Sequence, residues 1–203
     1  MTEAILSPAA ALELLQQHSP PGETWPTHCR QVARVARTLA DAVAAQGHAI
    51  NAADVEAMAL VHDIGRSVEH SYLHGWQGYV LLRDLGHAAT GRGCIQHWLK
   101  GRSESELRDS RIPSDFLDEV LACLQPREWL LQDSIVSVAD SSVAGVEIVT
   151  LKHRHDDLAR RYGDSDWLRR HAELAEEQAA EISAKVGRPV AELLKPLYGT
   201  AAQ

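Results

Sequence analysis

The sequence lacks the features that mark several large classes of protein. Its three cysteines, Cys29, Cys94 and Cys123, form no CxxC pair, so we expect reduced thiols rather than a zinc ribbon or a disulfide framework. No apolar run reaches the roughly 18 residues of a transmembrane helix, and the N-terminal segment has neither the basic start nor the cleavage site of a signal peptide. The net charge of −8 is unlike that of a strongly basic nucleic-acid binder. We therefore expect a cytoplasmic protein with neither a membrane nor a nucleic acid as its partner.

Aromatic residues are also few, with a single phenylalanine, and the hydrophobic residues are mostly alanine, leucine and valine. Such a composition favours helices. Apolar residues recur with helical spacing almost throughout the chain, whereas no strand pattern is convincing. The predicted fold is therefore all-α, in one domain over residues 1–203. The predicted helices cover about 8–18, 26–46, 51–65, 72–85, 88–100, 114–124 with Ser114 as its cap, 131–149 with an interrupted continuation toward 162, 166–186 and a short terminal segment, with one further turn at 104–108.

Eleven histidines are present, and several of them fall on the apolar faces of the predicted helices. His28, for example, is aligned with Val32, Val35 and Leu39. A single such histidine is best explained as a hydrogen-bonded core residue. Four inward histidines together with two aspartates are harder to explain in that way, because buried charges usually pair or coordinate metals. Nitrogen and oxygen ligands without thiolates suit Zn²⁺, Mn²⁺, Fe²⁺ or Ni²⁺ and argue against a closed structural zinc site. The six residues are His28, His62, Asp63, His74, His97 and Asp140.

The stretch ALVHDIGR, residues 59–66, places a histidine and an aspartate directly after an aliphatic run and just before Gly65. Together with HCRQVARVARTLA around His28 and SIVSVAD ending at Asp140, it resembles the H…HD…D signature of the HD-domain superfamily of metal-dependent phosphohydrolases, in its HDIG form. The segment HSYLHGWQGYVLLRDLG also resembles the part in which dinuclear members place a further histidine. The resemblance covers about residues 26–144, and it implies a helical bundle with a core at about 26–150 and a C-terminal helical extension at about 151–203.

The resemblance also implies a ligand set. His28, His62, Asp63 and Asp140 match the ligands of the first metal. His74 and His97 match the additional ligands of dinuclear members, in which the aspartate of the HD pair bridges both ions. His70 could take the place of His74, because both lie near the start of the fourth predicted helix. The implied cofactor is a divalent metal, with two ions favoured over one, and Mn, Fe, Ni, Zn and Mg are not distinguished by these ligands.

The implied activity is hydrolysis of a phosphomonoester or phosphoanhydride, in a nucleotide or a small phosphorylated metabolite, by attack of metal-bound hydroxide. Asp63 and Arg66 are the expected catalytic residues. Arg66, Lys100 and Arg102 are the expected contacts to the substrate phosphate, since arginine matches phosphate oxygens with two donors. A solvated Arg66 at a helix end is the alternative. Asp133 or Glu69 could act as an outer-sphere acid or base, and the sequence singles out neither. Trp76 and Trp98 could stack on a nucleobase, although a core position is more usual for tryptophan.

Three alternatives stay open at this point. Some HD-fold proteins use two irons and dioxygen to cleave C–P or C–C bonds, and the phosphonate-cleaving ones place a tyrosine and a glutamate before the first histidine; here Glu23 is present but the tyrosine is missing. Other HD domains are non-catalytic signalling modules, and a helical bundle with incidental histidines would bind no metal. The acidic last long helix is interpreted as a solvated face that could equally carry a homodimer contact.

A second His-Asp pair, His155-Asp156, occurs in KHRHDDLARR. It lies on a partly apolar stripe, but no aliphatic run precedes it and no glycine follows it. We interpret it as part of a solvated helix with paired charges.

Overall fold

The computed structural model describes residues 4–199, so residues 1–3 and 200–203 of the predicted domain lie outside it. Within that range the chain is a helical assembly with one two-stranded hairpin, which confirms the all-α prediction. The helices are α1 (Pro8–Gln17), α2 (Trp25–Ala44), α3 (Ala52–Val61), α4 (His74–Asp84), α5 (Ala88–Leu99), α6 (Glu104–Arg108), α7 (Ser114–Cys123), α8 (Leu131–Ser141), α9 (Leu151–Tyr162), α10 (Asp166–Val186) and α11 (Val190–Leu194), with 3-10 turns at Ile64–Ser67 and Lys195–Leu197.

Local sequence signals account for where several helices begin and end. The side chains of Ser7, Asn51 and Ser165 accept hydrogen bonds from backbone amides in the first turns of α1, α3 and α10. Gly187 ends α10 in the left-handed conformation that glycine adopts without strain. The bounds of α10 therefore agree with the predicted 166–186.

Three local predictions were wrong. The helix predicted over 131–149 ends at Ser141, and β1 (Val143–Ala144) pairs antiparallel with β2 (Glu147–Ile148) before α9 begins. Two-residue strands are too short to produce an alternating pattern, which is why the sequence did not reveal them. Ser114 is the first residue of α7 rather than its cap, and α3 ends at Val61 rather than near Gly65.

The centre of the fold is built around α2, which packs against α3 and α8. Its apolar stripe of Val32, Val35, Leu39 and Val43 is buried, as the spacing predicted. α4 packs against α5, and α10 packs against α8 and α9. Among residues 4–199, no helix combines the length and the apolar character needed to cross a bilayer. These packings bring the faces of α2, α4, α5 and α8 that carry histidine or aspartate toward one place.

Candidate metal centre

All six side chains predicted as metal ligands converge at one site. They come from α2, the residues just after α3, the start of α4, and the inner faces of α5 and α8: His28, His62, Asp63, His74, His97 and Asp140. The ring centroid of His62 lies 5.4 Å from that of His28 and 4.8 Å from that of His97. The ring of His97 in turn lies 5.3 Å from that of His74. Residues separated by more than a hundred positions in sequence thus form a single cluster.

The turn after α3 brings the His-Asp pair into this cluster. α3 ends at Val61, so His62 and Asp63 stand on a tightening turn rather than inside a continuing helix. Gly65 follows in the 3-10 turn and lies against α4, where a Cβ atom would overlap the carbonyl oxygen of His74 and the amide of Gly78. Only glycine permits this approach of the two backbones. The glycine of the HDIG stretch therefore sets the distance between Asp63 and His74.

Each of the four histidines is held by a backbone carbonyl at Nδ1. The Nδ1–O distances are 2.9 Å for His28 and Gly145, 2.7 Å for His62 and Ala59, 2.7 Å for His74 and Ser71, and 3.3 Å for His97 and Gly93. A carbonyl oxygen can only accept, so Nδ1 carries the proton in every ring. In the neutral form of each ring, Nε2 is therefore the nitrogen that presents a lone pair. Metal-binding histidines are commonly oriented in this way.

One group of candidate ligand atoms lies around the carboxylate of Asp140. Asp140 Oδ1 lies 3.2 Å from His28 Nε2 and 3.8 Å from His62 Nε2. One ligand atom from each of these three residues lies within 4.8 Å of the others. His62 Nε2 is fully buried and has no hydrogen-bond partner among the described residues. An unsatisfied buried acceptor of this kind is costly unless something binds to it.

A second group surrounds the carboxylate of the HD pair. Asp63 Oδ1 lies 3.0 Å from His74 Nε2 and 3.3 Å from His97 Nε2, and these two nitrogens are 3.2 Å apart. Asp63 Oδ2 lies 4.0 Å from His62 Nε2. Since the two carboxylate oxygens of Asp63 face different histidines, this residue joins the two groups.

Burial favours the neutral form of His62 and of His97, and the surrounding groups favour the ionised form of both carboxylates. Burial lowers the pKa of His62 to about 3 and also lowers the pKa of His97. Burial alone would raise the pKa of Asp63, but the neighbouring histidines outweigh it and hold that pKa well below its usual range. The pKa of Asp140 is likewise held low, because Lys100 and His28 outweigh its burial. The site is therefore rich in electron-pair donors at neutral pH.

This donor set fits divalent metal ions. Lone pairs on four Nε2 atoms and on two carboxylates converge within a few ångströms, and such atoms cannot satisfy one another by hydrogen bonding while Nδ1 holds the only proton of each ring. A cation at the centre of each group would satisfy them. Imidazole and carboxylate are ligands that Zn²⁺, Mn²⁺, Fe²⁺ and Ni²⁺ accept.

The structure distinguishes the two candidate histidines near the start of α4. His74 reaches Asp63 and His97, whereas His70 is exposed to solvent. The geometry therefore agrees with the prediction of His74 as a ligand, and it does not agree with the alternative that His70 takes this place.

The three predicted cationic contacts occupy different surroundings. Arg66 donates through Nε to Asp63 Oδ2 at 2.5 Å, and it lines the cleft above the cluster. Its burial opposes the charge, but Asp63 outweighs that effect and the pKa of Arg66 is raised. Arg66 is thus neither freely solvated nor withdrawn from the site.

The surroundings of Lys100 differ from those expected of a residue that contacts a substrate phosphate. Its ammonium donates to Asp140 Oδ2 at 2.6 Å, to the carbonyl of Ser137 at 3.2 Å and to Ser141 Oγ at 3.2 Å. An ammonium has three donors, so the protein itself uses all of them and the expected free contact to a phosphate is not what the structure shows. The sequence could not reveal this, because the partners lie about forty positions away.

Arg102 also differs from the prediction. It is buried, it donates to the carbonyl of Trp167 at 2.9 Å, and its guanidinium carbon lies 3.6 Å from the centroid of the Trp167 ring. Burial lowers the pKa of Arg102 to about 10, which leaves it charged at neutral pH. Arg102 still lines the cleft, but its first role is to fix α10 beside the site.

Other sequence expectations are resolved by burial. Asp133 is fully buried and binds Arg92 through both oxygens at 2.9 and 2.6 Å, so it is a structural residue rather than an outer-sphere acid or base. Trp76 is buried, whereas Trp98 lines the cleft. Glu23 is exposed and is not among the residues that line the cleft.

The cleft over the cluster has a volume of about 250 Å³. Seven of the residues that line it were not predicted as site residues. The unpredicted lining residues lie at the start of α4 and on α9 and α10: Tyr72, Arg154, Leu158, Tyr162, Trp167, Leu168 and His171. Nothing in the local sequence of α9 or α10 indicates a site, since their place beside the cluster depends on long-range packing.

The second His-Asp pair matches its prediction only in part. Asp156 is exposed and pairs with Lys152 at 2.6 Å, as expected for a solvated helix. His155 instead turns inward, where its ring lies 5.5 Å from that of His171 and its Nε2 is buried without a partner among the described residues. The expectation of a solvated His155 was wrong, because the apolar stripe of α9 faces α10.

Comparisons with known proteins place this arrangement in a family. The chain is 28% identical over 139 residues to an uncharacterized protein of Methanocaldococcus jannaschii. The aligned region covers 66% of this chain and 73% of the relative. No solved structure matches the chain. The HD domain family matches residues 26–145, a segment that contains all six converging side chains. The chain therefore belongs to the HD domain family.

Proposed function

We propose that this protein is a metal-dependent phosphohydrolase that cleaves a phosphomonoester or phosphoanhydride of a nucleotide or small phosphorylated metabolite. One observation carries the proposal: four histidines whose Nδ1 atoms lie against backbone carbonyls direct their four Nε2 atoms at the carboxylates of Asp63 and Asp140. Such a site would be unfavourable without cations, and a cleft that is lined by further cationic groups opens directly above it. The single-domain organisation, with a core at about 26–150 and an extension at about 151–203, belongs to the same proposal.

The ligands divide into two sets. His28, His62 and Asp140 with Asp63 would hold one ion, and His74 and His97 with Asp63 would hold the other. Asp63 is suited to bridging because its two oxygens face different histidines. Divalent ions, when bound there, supply an activated water and neutralise the phosphoryl oxygens.

The residues around the ligands prepare the site for a phosphate. Arg66 fixes Asp63 through Nε, and its terminal nitrogens remain available at the cleft, where two parallel donors suit a phosphoryl group. Arg154 adds a further guanidinium to the cleft wall. Lys100 is a positioning residue that holds Asp140 by its second oxygen, so that Oδ1 stays directed at His28 and His62.

The test uses the whole chain, loaded separately with Mn²⁺, Zn²⁺ or Fe²⁺. We expect hydrolysis of p-nitrophenyl phosphate and about two ions per chain by elemental analysis, and we expect both to be lost in His62→Ala. His70→Ala is the matched control, since His70 lies near the site in sequence but is exposed, and it should keep both.

Three results would overturn the proposal. Full metal content and full rate in His62→Ala would show that the ligand assignment is wrong. Tight metal binding without turnover would favour a signalling domain, and oxygen uptake by the iron-loaded protein with a phosphonate would favour the di-iron oxygenase.

A further inference from the structure

The exposed aromatic side chains of this protein are gathered at one place. Among the described residues, the large hydrophobic side chains that remain exposed are Val68, Tyr72, Leu85, Val146, Tyr162 and Trp167. All three aromatics in this set line the cleft above the histidine cluster, with exposed fractions of 67% for Tyr72, 71% for Tyr162 and 41% for Trp167. Exposed apolar groups that cluster beside a concave site usually mark a ligand-binding surface. We call these three residues the aromatic rim.

Two members of the aromatic rim are held in place by arginines. The guanidinium of Arg102 stacks on the Trp167 ring at 3.6 Å and donates to the Trp167 carbonyl. The guanidinium of Arg161 lies 5.3 Å from the centroid of the Tyr162 ring. A ring that is already ordered loses little freedom when a ligand stacks on it. The buried Arg102 thus prepares Trp167 as a platform before any ligand arrives.

The cleft has a polar floor and an apolar mouth. Its floor is formed by the histidine cluster, with Arg66 and Arg154 beside it, and these groups suit an anion. The volume of about 250 Å³ lies below the roughly 300–1,000 Å³ of pockets that bury drug-sized ligands. A ligand that fills it is therefore small, with its phosphate at the floor and its organic group at the rim.

We propose that the cleft selects small phosphate monoesters whose organic group is a flat aromatic ring, and that Tyr72 and Trp167 determine this specificity. The inference rests on the proposed function in that it places the phosphate at the histidine cluster. Trp167 comes from α10, which lies outside the segment that the HD domain family matches. The larger contribution to specificity would thus come from a residue outside the segment that the family pattern covers, and Tyr72, inside that segment, would add a smaller one.

The test measures binding rather than turnover. Titration calorimetry on the metal-loaded full chain compares phenylphosphonate with methylphosphonate, which share the anionic group and differ in the ring. Stacking on an aromatic platform contributes on the order of 1–3 kcal/mol per ring, so we expect the phenyl compound to bind about tenfold more tightly or better. Trp167→Ala should bring the ratio close to one and leave the affinity for methylphosphonate unchanged, and Tyr72→Ala should lower the ratio by a smaller factor.

Two further variants control the experiment. Trp167→Phe keeps a flat ring and should retain most of the preference, whereas Leu85→Ala removes an exposed apolar side chain away from the cleft and should change nothing. Equal affinities in the wild type, no binding of phenylphosphonate, or an equal loss for both ligands in Trp167→Ala would overturn the inference. Aryl preference without hydrolysis of any ester would refute the proposed function and leave this inference standing, while hydrolysis without aryl preference would do the reverse.

Discussion

The chain contains the dipeptide His-Asp twice, and the two copies have opposite surroundings. His62 and Asp63 are both buried, and both face the same cluster of ligand atoms. In the second copy His155 turns inward toward α10, whereas Asp156 points to solvent and pairs with a surface lysine. The same two side chains therefore form part of a site in one place and part of an ordinary helix face in the other.

The difference comes from the backbone that carries each pair. His155 and Asp156 lie in the middle of α9, where successive residues point about 100° apart, so they cannot face the same side. His62 and Asp63 lie where α3 has ended and a 3-10 turn begins, which brings both side chains to one side. In this protein the pair that joins the cluster thus stands where a helix stops, and the glycine two residues after its aspartate is the sequence sign of that stop.

The largest effect should come from replacing the aspartate of the first His-Asp pair, with the same replacement in the second pair as its control. Asp63→Asn removes the charge that joins the two ligand groups, so we expect it to lower metal content and to reduce hydrolysis by more than about a hundredfold, beyond the 10–100-fold typical of residues that only support a ligand. Asp156→Asn should change neither quantity, because Asp156 is exposed and pairs with Lys152 at the surface. Elemental analysis and p-nitrophenyl phosphate hydrolysis are the measurements. Equal effects of the two substitutions would remove the distinction between the pairs.

The next effect concerns the glycine that follows the first pair. In Gly65→Ala the new Cβ would overlap the backbone of α4, so either α4 shifts or the turn unfolds, and we expect a loss of about 3 kcal/mol in the free energy of unfolding. Gly47→Ala is the control, because its φ of +81° is strained for alanine but no atom lies within 4 Å of the added group. That variant should lose only about 1 kcal/mol. Urea denaturation at neutral pH measures both, and a smaller loss for Gly65→Ala than for Gly47→Ala would contradict the close approach.

A third comparison uses two lysine–aspartate pairs of equal length. Lys100 lies 2.6 Å from Asp140 in the buried site, and Lys152 lies 2.6 Å from Asp156 at the surface. Lys100→Met removes the group that orients a proposed ligand, and we expect the metal affinity to fall by about 10–100-fold. Lys152→Met should leave it unchanged, since an exposed pair contributes little. Competition with a chelator gives both affinities, and unchanged metal affinity in Lys100→Met would show that Asp140 needs no such support.

The sequence was sufficient for the parts of the molecule that depend on local pattern. Helical spacing predicted most of the helices, and the aliphatic run and glycine around His62 and Asp63 separated the pair that joins the cluster from the second one. What it could not show depends on packing between distant segments. Three features join residues from about forty to more than sixty positions apart. They are the ion pair of Lys100 with Asp140, the stacking of Arg102 on Trp167, and the contribution of α9 and α10 to the cleft. The inward turn of His155 belongs to the same group, because only the position of α10 determines it.

The smallest effect should be a pH dependence of stability that belongs to the second pair. Burial against α10 lowers the pKa of His155 to about 4, below the value near 6.5 of an unfolded histidine. The stability that the neutral ring contributes is therefore fully present above pH 6.5 and is lost as the pH falls toward 4, because the unfolded chain takes up the proton first. We expect this to cost about 1 kcal/mol at pH 4.5, less than full burial would give, since the ring is partly accessible to water. His155→Phe should reduce the loss between pH 7 and pH 4.5 in urea denaturation, and His70→Phe, at an exposed position, should leave it as in the wild type. If the two variants show the same pH dependence, His155 is solvated after all, and the second His-Asp pair is a surface pair in both of its residues.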